Sequence, residues 1–150
     1  MTLTSTTLKR LNEGFYESFS AKEKESYNIS KLISLMSDYG YLEHMRINGD
    51  KNGADIIFYR SSDCAILKVQ LKGRLTFKKS YQYKELFVVY PVHKDGEINW
   101  YIYNHDDLLS YVLKETDICT TSSWTDKGSY SWPHAPTHIL QYITELETKC

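Results

Sequence analysis

The chain has 150 residues, a formal net charge of −1, and 41% hydrophobic and 25% charged residues. A chain of this length is expected to form about one domain, over residues 1–150 with a core at about 20–115. No apolar run approaches the roughly 20 residues needed to span a bilayer, and the N-terminal residues lack the pattern of a secretory signal. The three cysteines are scattered, which argues against a disulfide framework. We therefore expect a cytoplasmic protein with no membrane partner.

The first elements predicted along the chain are one helix and three strands. Ser20 and Glu23 have the spacing of a helix capping box, and Gly40 suits the left-handed residue that ends a helix. The predicted helix carries an apolar stripe at helical spacing, formed by Ile29, Leu32, Ile33 and Met36. Strands are then predicted over residues 41–47, 54–59 and 65–71, separated by turn-forming residues.

The next segment contrasts a polar stretch with an apolar one. Residues 76–83 are polar, aromatic and basic, and are predicted to form a loop or an irregular arm. Residues 86–90 are strongly apolar and predict a strand that ends at Pro91. A further strand is predicted over residues 100–103, after a turn.

Two helices complete the predicted elements. One covers residues 106–114 and is capped by Asn104 or by an aspartate in its first turn. The other begins at Pro136. This order of elements predicts one α/β domain with a mixed β-sheet.

Polar side chains interrupt two of the predicted strands. Asp55 enters one apolar strand, and Gln70 and Lys72 lie at i and i+2 on the next. Because side chains alternate between the faces of a strand, Gln70 and Lys72 point to one face and Leu71 to the other. If the two strands are neighbours, Asp55, Gln70 and Lys72 converge at one edge of the sheet. The alternative is a pair of edge strands that expose these side chains to solvent.

This set of side chains is typical of a metal-assisted phosphodiester hydrolase. Such an enzyme uses a divalent cation to neutralise phosphate charge and to lower the pKa of a bound water. Mg²⁺ prefers oxygen ligands and keeps several waters, so one or two side-chain oxygens suffice. The predicted ligands are the Asp55 carboxylate, the Gln70 amide oxygen and the Leu71 carbonyl, and we expect Mn²⁺ to substitute. Lys72 is predicted to orient or deprotonate the attacking water and to offset charge on the phosphate.

Glu25 is the predicted acid that joins the site from the helix. It lies four residues before Ile29 and so continues the apolar stripe. A carboxylate on the buried side of a helix is costly unless it is paired or bound to a metal. The alternative is a first-turn acid that favours the helix dipole.

Positive charge is concentrated beside the predicted site. Residues 68–84 contain six positive side chains and no acidic one, although the chain as a whole is slightly acidic. Phosphate attraction is local and screened, so this segment matters more than the total charge, unless it is a solvated loop that binds nothing. Aromatic residues interleave with its lysines and are predicted to lie along DNA, an amphipathic edge or subunit contact being the alternative. The predicted DNA-binding residues are Arg74, Lys78, Lys79, Tyr81 and Lys84.

These residues resemble the PD-(D/E)xK nuclease superfamily, the fold of many restriction enzymes and Holliday-junction resolvases. Residues 52–57 resemble its PD strand, with Ala54 in place of proline. Residues 69–72 resemble its (D/E)xK strand in the Gln-containing variant. The pattern over residues 70–109 is similar to a group of small bacterial proteins that includes a homing endonuclease encoded within a cyanobacterial group I intron. The resemblance implies a restriction-endonuclease-like mixed β-sheet flanked by helices.

The resemblance also implies a site-specific, Mg²⁺-dependent endonuclease of double-stranded DNA that acts in intron homing. A restriction enzyme or a junction resolvase would use the same core. A non-catalytic DNA-binding module that kept the fold is an alternative of a different class, with Gln70 as a sign of decay. One such site cuts one strand, so a double-strand break implies a homodimer or a homotetramer.

Overall fold

A mixed β-sheet with helices on both faces forms the framework of the chain. The computed structural model describes residues 14–47, 53–94 and 97–148. The strands in these ranges are β1 (Leu42–Arg46), β2 (Ile56–Arg60), β3 (Ala65–Leu71), β4 (Leu75–Lys78), β5 (Leu86–Lys94), β6 (Glu97–Asn104) and β7 (Ser129–Trp132). The helices are α1 (Gly14–Ser18), α2 (Ala21–Asp38), α3 (His105–Glu115), α4 (Ser122–Thr125) and α5 (Thr137–Thr148), with 3₁₀ turns at Lys79–Tyr81 and Ile118–Thr120. The predicted α/β class with a mixed sheet is confirmed.

The order of the strands places the end of β3 inside the sheet. Five of the described strands form one sheet in the order β1-β2-β3-β5-β6, and β4 pairs with β7 separately. β3 and β5 are parallel, with Gln70 opposite Val88, and the other neighbours are antiparallel. Because β3 ends at Leu71 while β5 continues to Lys94, the end of β3 lies beside the middle of a longer strand.

The two faces of the sheet are covered by different elements. On one face, Leu32 and Met36 of α2 belong to a buried cluster with Phe58, Val69 and Val89. On the other face, residues of β5 and β6 pack in a larger core with α3, α5 and β4. Because side chains alternate along β3, its even-numbered residues, Gln70 among them, project away from α2.

The ends of α2 follow the sequence signals. The Ser20 side chain accepts a hydrogen bond from the Glu23 N–H, and the Glu23 carboxylate accepts one from the Ser20 N–H at 2.6 Å, which confirms the capping box. Gly40 has a φ of +80°, the left-handed conformation predicted for the end of this helix. The predicted apolar stripe is also confirmed, since Leu32 and Met36 are buried and Ile29 and Ile33 pack beside them.

The later helices begin close to their predicted starts. The Asn104 side chain accepts hydrogen bonds from the Asp106 and Asp107 N–H groups, so it caps α3 as predicted. The last helix begins at Thr137, one residue after the predicted start at Pro136. None of the helices in the described ranges is long and apolar enough to cross a membrane.

The prediction that Pro91 ends a strand is wrong. β5 continues through Pro91 to Lys94 and pairs with β6 along this length, with Pro91 opposite Trp100. The Val89 carbonyl accepts a hydrogen bond from the Lys72 N–H, so Val89 faces the β3 side of the strand. Pro91 lies two residues further on and faces the same side, where β3 has already ended. The missing N–H of proline therefore leaves no neighbouring strand without a donor.

The prediction that residues 76–83 form a loop or an irregular arm is also wrong for residues 76–78. Residues 75–78 form β4, and Leu75, Thr76 and Phe77 are all buried. On the edge of β4 that does not pair with β7, side chains replace a neighbouring strand. The Tyr103 hydroxyl accepts from the Thr76 N–H at 3.2 Å and donates to the Thr76 carbonyl at 2.9 Å. His105 Nε2 accepts from the Lys78 N–H at 3.2 Å.

Candidate active site

Asp55 and Gln70 meet at the junction of β2 and β3. The two strands pair with Ile56 opposite Val69, and the Asp55 N–H donates to the Val69 carbonyl at 2.8 Å, which extends the pairing by one residue. Asp55 Oδ2 accepts a hydrogen bond from Gln70 Nε2 at 2.7 Å and another from the Leu71 N–H at 2.9 Å. The structure therefore brings together the two side chains that the sequence places fifteen residues apart.

The half-buried environment of Asp55 opposes its negative charge. Burial raises the pKa of the Asp55 carboxyl above its ordinary value. The hydrogen bond from Leu71, the charge of Lys72 and the hydrogen bond from Gln70 each lower this pKa, but together they do not outweigh burial. A carboxylate held in this way gains from a nearby cation, because the cation offsets the cost of burying its charge.

Lys72 lies on the same side of β3 as Gln70. The Lys72 N–H donates to the Val89 carbonyl at 2.9 Å, so the pairing with β5 continues one residue past the end of β3. The extended backbone places the side chains of Gln70 and Lys72 on one face, as predicted. Lys72 Nζ lies 5.8 Å from the centre of the Tyr81 ring, and its charge acts on Asp55.

Glu25 approaches the site through its charge alone. The expectation that Glu25 lies on the buried side of the helix is wrong, because its side chain is exposed near the start of α2. Its negative charge nevertheless contributes to the raised pKa of Asp55. Glu25 is therefore within electrostatic reach of Asp55, and no hydrogen bond between the two carboxylates is present.

Asp55, Gln70 and Leu71 carry oxygen atoms of the kind that bind a hard divalent cation. Gln70 is 4% exposed, and its amide oxygen is buried without a hydrogen-bond partner among the described residues. The Leu71 carbonyl lies 3.3 Å from Gln70 Nε2, so a carboxylate, an amide and a backbone carbonyl are in contact. Within the described ranges, no group of three or more His, Cys, Asp and Glu residues is placed to hold a metal. With the Gln70 amide turned so that its oxygen faces Asp55, the site would offer one carboxylate and neutral oxygens, the ligand types that Mg²⁺ and Mn²⁺ take.

The basic residues near the site differ in what their side chains contact. Lys78 Nζ lies 5.4 Å from the centre of the Tyr81 ring, on the same ring that Lys72 approaches. Lys79 Nζ instead lies 5.4 Å from the ring centre of Trp124 in α4. Arg74 is exposed in the turn before β4, and Lys84 is partly exposed in the loop that leads to β5.

The prediction that Tyr81 lays its ring along DNA is wrong. Tyr81 is 1% exposed, and its ring centre lies 5.5 Å from that of His105 in a T-shaped contact. Phe77 is fully buried as well, whereas Tyr83 is 91% exposed. The aromatic residues of this segment thus face the core at 77 and 81 and solvent at 83.

The sequence motif includes Gly53, but sequence reasoning missed why a glycine is needed there. It has a φ of +74°, and a Cβ atom there would lie 3.0 Å from Tyr81 Cδ1 and 3.1 Å from a methyl group of Leu86. Glycine is therefore required both by the backbone and by the close approach of the Tyr81 ring. Its place two residues before Asp55 is the signal in the sequence that the backbone is tightly packed just before the site.

Comparison with known proteins gives no match to this chain among family models, curated proteins or solved structures.

Proposed function

We propose that the chain is a Mg²⁺-dependent endonuclease of double-stranded DNA. The observation that carries the proposal is the contact of the Asp55 carboxylate with the Gln70 amide and the Leu71 N–H, with Lys72 on the same face. The motif resembles that of PD-(D/E)xK nucleases, in which a carboxylate and an x-Lys strand serve phosphodiester hydrolysis. The finer assignment to a restriction-endonuclease-like fold and to intron homing rests on that resemblance.

The residues that would hold the cation are Asp55, Gln70 and Leu71. Bound there, Mg²⁺ would neutralise phosphate charge and make a water molecule more acidic. The unpartnered amide oxygen of Gln70 supports this assignment, because a buried polar atom without a partner is costly. In the described structure the amide nitrogen faces Asp55, so a half-turn of the amide group is needed to present that oxygen.

The other residues act on the substrate through charge. Lys72 is the proposed group that orients the attacking water and offsets charge at the phosphate undergoing attack, since it follows the end of β3 and its charge acts on Asp55. Glu25 adds negative charge within reach of Asp55 and would strengthen cation binding. Lys78, Lys79, Arg74 and Lys84 are proposed phosphate contacts, which fix the position of the duplex without reading its sequence.

Self-association completes the proposal, because one site cuts one strand. Leu42, Tyr59 and Ile66 lie opposite one another in a cross-strand row on β1, β2 and β3. They are 63%, 37% and 65% exposed, so the row forms an apolar surface of the kind that marks protein contacts. Sedimentation of the protein with and without DNA tests this step, and a monomer that cuts both strands would contradict it.

The experiment that tests the function is cleavage of a plasmid that carries the gene's own genomic insertion region joined without the insert. We expect discrete, Mg²⁺-dependent cutting by the wild-type protein and a loss of at least about 100-fold in Lys72→Ala. Lys94→Ala, at the exposed end of β5, is the matched control and should cut normally. Equal cutting by both variants would refute the assignment of Lys72. Cleavage of a four-way junction regardless of sequence would instead favour a resolvase.

A non-catalytic DNA-binding module is the second candidate. It is favoured by the single carboxylate in direct contact with Gln70 and by the amide nitrogen that faces it. DNA binding without cleavage by the wild-type protein, in both Mg²⁺ and Mn²⁺, would support this candidate against the nuclease.

A further inference from the structure

Tyr81 is a buried ring that two lysines of the site approach. Lys72 Nζ lies 5.8 Å and Lys78 Nζ 5.4 Å from the centre of its ring. We infer that Tyr81 is a positioning residue, which holds both ammonium groups on one ring and so couples DNA contact to the proposed chemistry. This inference rests on the proposed function for its consequence in cleavage, but its geometric part is independent of any activity.

The position of the Tyr81 ring is fixed on several sides. Gly53 approaches so closely that a Cβ atom there would lie 3.0 Å from Tyr81 Cδ1, and Leu86 borders the same space. His105 packs edge-on against the ring at an interplanar angle of 79°. His105 is itself held, since its Nε2 accepts from the Lys78 N–H at 3.2 Å and its Nδ1 lies 3.0 Å from Asp106 Oδ1. A ring confined in this way keeps its position, so it can hold flexible lysine side chains in a defined place.

The physical basis is the attraction between a cation and the negative face of an aromatic ring. This attraction acts within about 6 Å of the ring centre and strengthens where water is excluded. Both lysines meet that distance, and the ring is 1% exposed. An unanchored lysine loses considerable side-chain entropy when it is ordered on a substrate. The ring reduces that loss, because the ammonium groups are held near their working positions before DNA binds.

Two substitutions separate the ring from its hydroxyl, and a third controls for loss of packing. Tyr81→Phe keeps the aromatic ring, whereas Tyr81→Leu removes it and keeps an apolar side chain. Phe58→Leu makes the same aromatic-to-leucine change in the buried cluster on the other face of the sheet, at a ring with no described lysine contact. All three variants are compared at temperatures well below their unfolding midpoints.

The first readout is the NMR signal of the ε-methylene groups in protein with isotope-labelled lysine, assigned with Lys72→Ala and Lys78→Ala. We expect both signals to be displaced by the ring current in the wild type and in Tyr81→Phe. They should move toward ordinary lysine values in Tyr81→Leu and stay in place in Phe58→Leu. Unchanged signals in Tyr81→Leu, or an equal change in Phe58→Leu, would overturn the inference. This outcome does not depend on cleavage, so it is separate from a failure of the proposed function.

The second readout is cleavage kinetics in wild-type protein that cuts DNA. Tyr81→Leu should lower kcat by about 3- to 10-fold, and Tyr81→Phe should remain within about twofold of the wild type. Phe58→Leu should retain kcat as long as it is folded. A loss in Tyr81→Phe equal to that in Tyr81→Leu would assign the effect to the hydroxyl and contradict a role for the ring.

Discussion

β3 and β4 follow each other in the chain, and both carry lysines, but they are buried in different ways. Along β3, Val69 packs toward α2, while Gln70 faces the other side and contacts Asp55. Lys72 follows the end of this strand, and its charge acts on Asp55. Along β4, three consecutive residues are buried, Leu75, Thr76 and Phe77. β3 therefore has one structural face and one face for chemistry, whereas both faces of β4 are covered.

The comparison teaches that a basic segment is not one uniform surface. The backbone of β4 is bound on both edges, by β7 on one side and by the side chains of Tyr103 and His105 on the other. Lys78 ends this strand and is partly exposed, whereas the rings of Phe77 before it and Tyr81 after it are buried in the core. Three lysines of this segment, Lys72, Lys78 and Lys79, thus lie against buried aromatic rings, and their positions depend on the packing of those rings.

The largest expected effect is the loss of stability when the buried ring of β4 is removed. Phe77 is fully buried and contacts Tyr103, His105 and Trp132. Phe77→Ala should lower the free energy of unfolding by about 3–5 kcal/mol, because a large cavity replaces the ring. Urea denaturation measures this change. Ser80→Ala, an exposed change two residues past β4, should stay within about 0.5 kcal/mol, and a similarly small loss for Phe77→Ala would refute the view that β4 is a core strand.

The next effect concerns the edge of β4 that has no neighbouring strand. Tyr103→Phe removes a hydroxyl that serves both the N–H and the carbonyl of Thr76 in a buried setting. The free energy of unfolding should fall by about 1–3 kcal/mol, since two backbone groups lose their partner. Tyr111→Phe is the matched control, because that partly exposed tyrosine stacks on Tyr142 through its ring. Equal stabilities of the two variants would argue that another group satisfies Thr76.

On β3 the corresponding test adds charge instead of removing volume. Gln70→Glu places a second carboxylate against Asp55, and a divalent cation binds two carboxylates more tightly than one. The Mg²⁺ concentration for half-maximal cleavage should fall by on the order of tenfold. Gln82→Glu, a partly exposed change in the basic segment, serves as control. An unchanged or higher Mg²⁺ requirement in Gln70→Glu would mean that residue 70 is not a ligand.

Sequence patterns predict side-chain directions and element ends correctly where one face of the element is apolar and the other is polar. The alternation along β3 placed Gln70 and Lys72 on one face, and the capping residues placed both ends of α2. The same reasoning failed for β4, because a strand covered on both faces has no alternation and its polar Thr76 is satisfied by a distant tyrosine. The prediction that Pro91 ends a strand failed for a related reason. A proline is tolerated at this position of β5 only because β3, the neighbouring strand on that side, has already ended. The partner of Thr76 and the end of β3 beside Pro91 are set by tertiary contacts, which a local sequence pattern does not reveal.

The smallest expected effect tests the charge at the centre of the site. Burial raises the pKa of Asp55, so the folded state disfavours its ionised form. Its contribution to stability is therefore present below the unfolded-state pKa and is lost as the pH rises through the raised pKa. Asp55→Asn should raise the unfolding midpoint at pH 7 by on the order of 1–3 °C, and the difference should vanish in acid. Glu97→Gln, an exposed change on β6, should shift the midpoint at neither pH.

Mg²⁺ should reverse the difference in unfolding midpoint between Asp55→Asn and the wild type. A ligand that binds only the folded state stabilises it in proportion to the logarithm of its concentration above Kd. Added Mg²⁺ should therefore raise the midpoint of the wild-type protein and leave Asp55→Asn nearly unchanged, so the gap between them closes and then reverses. If Mg²⁺ moves both midpoints equally, the cation binds elsewhere. If it moves neither while DNA is still bound, the polar face of β3 serves recognition without metal chemistry, and β3 and β4 differ only in which residues they present to the duplex.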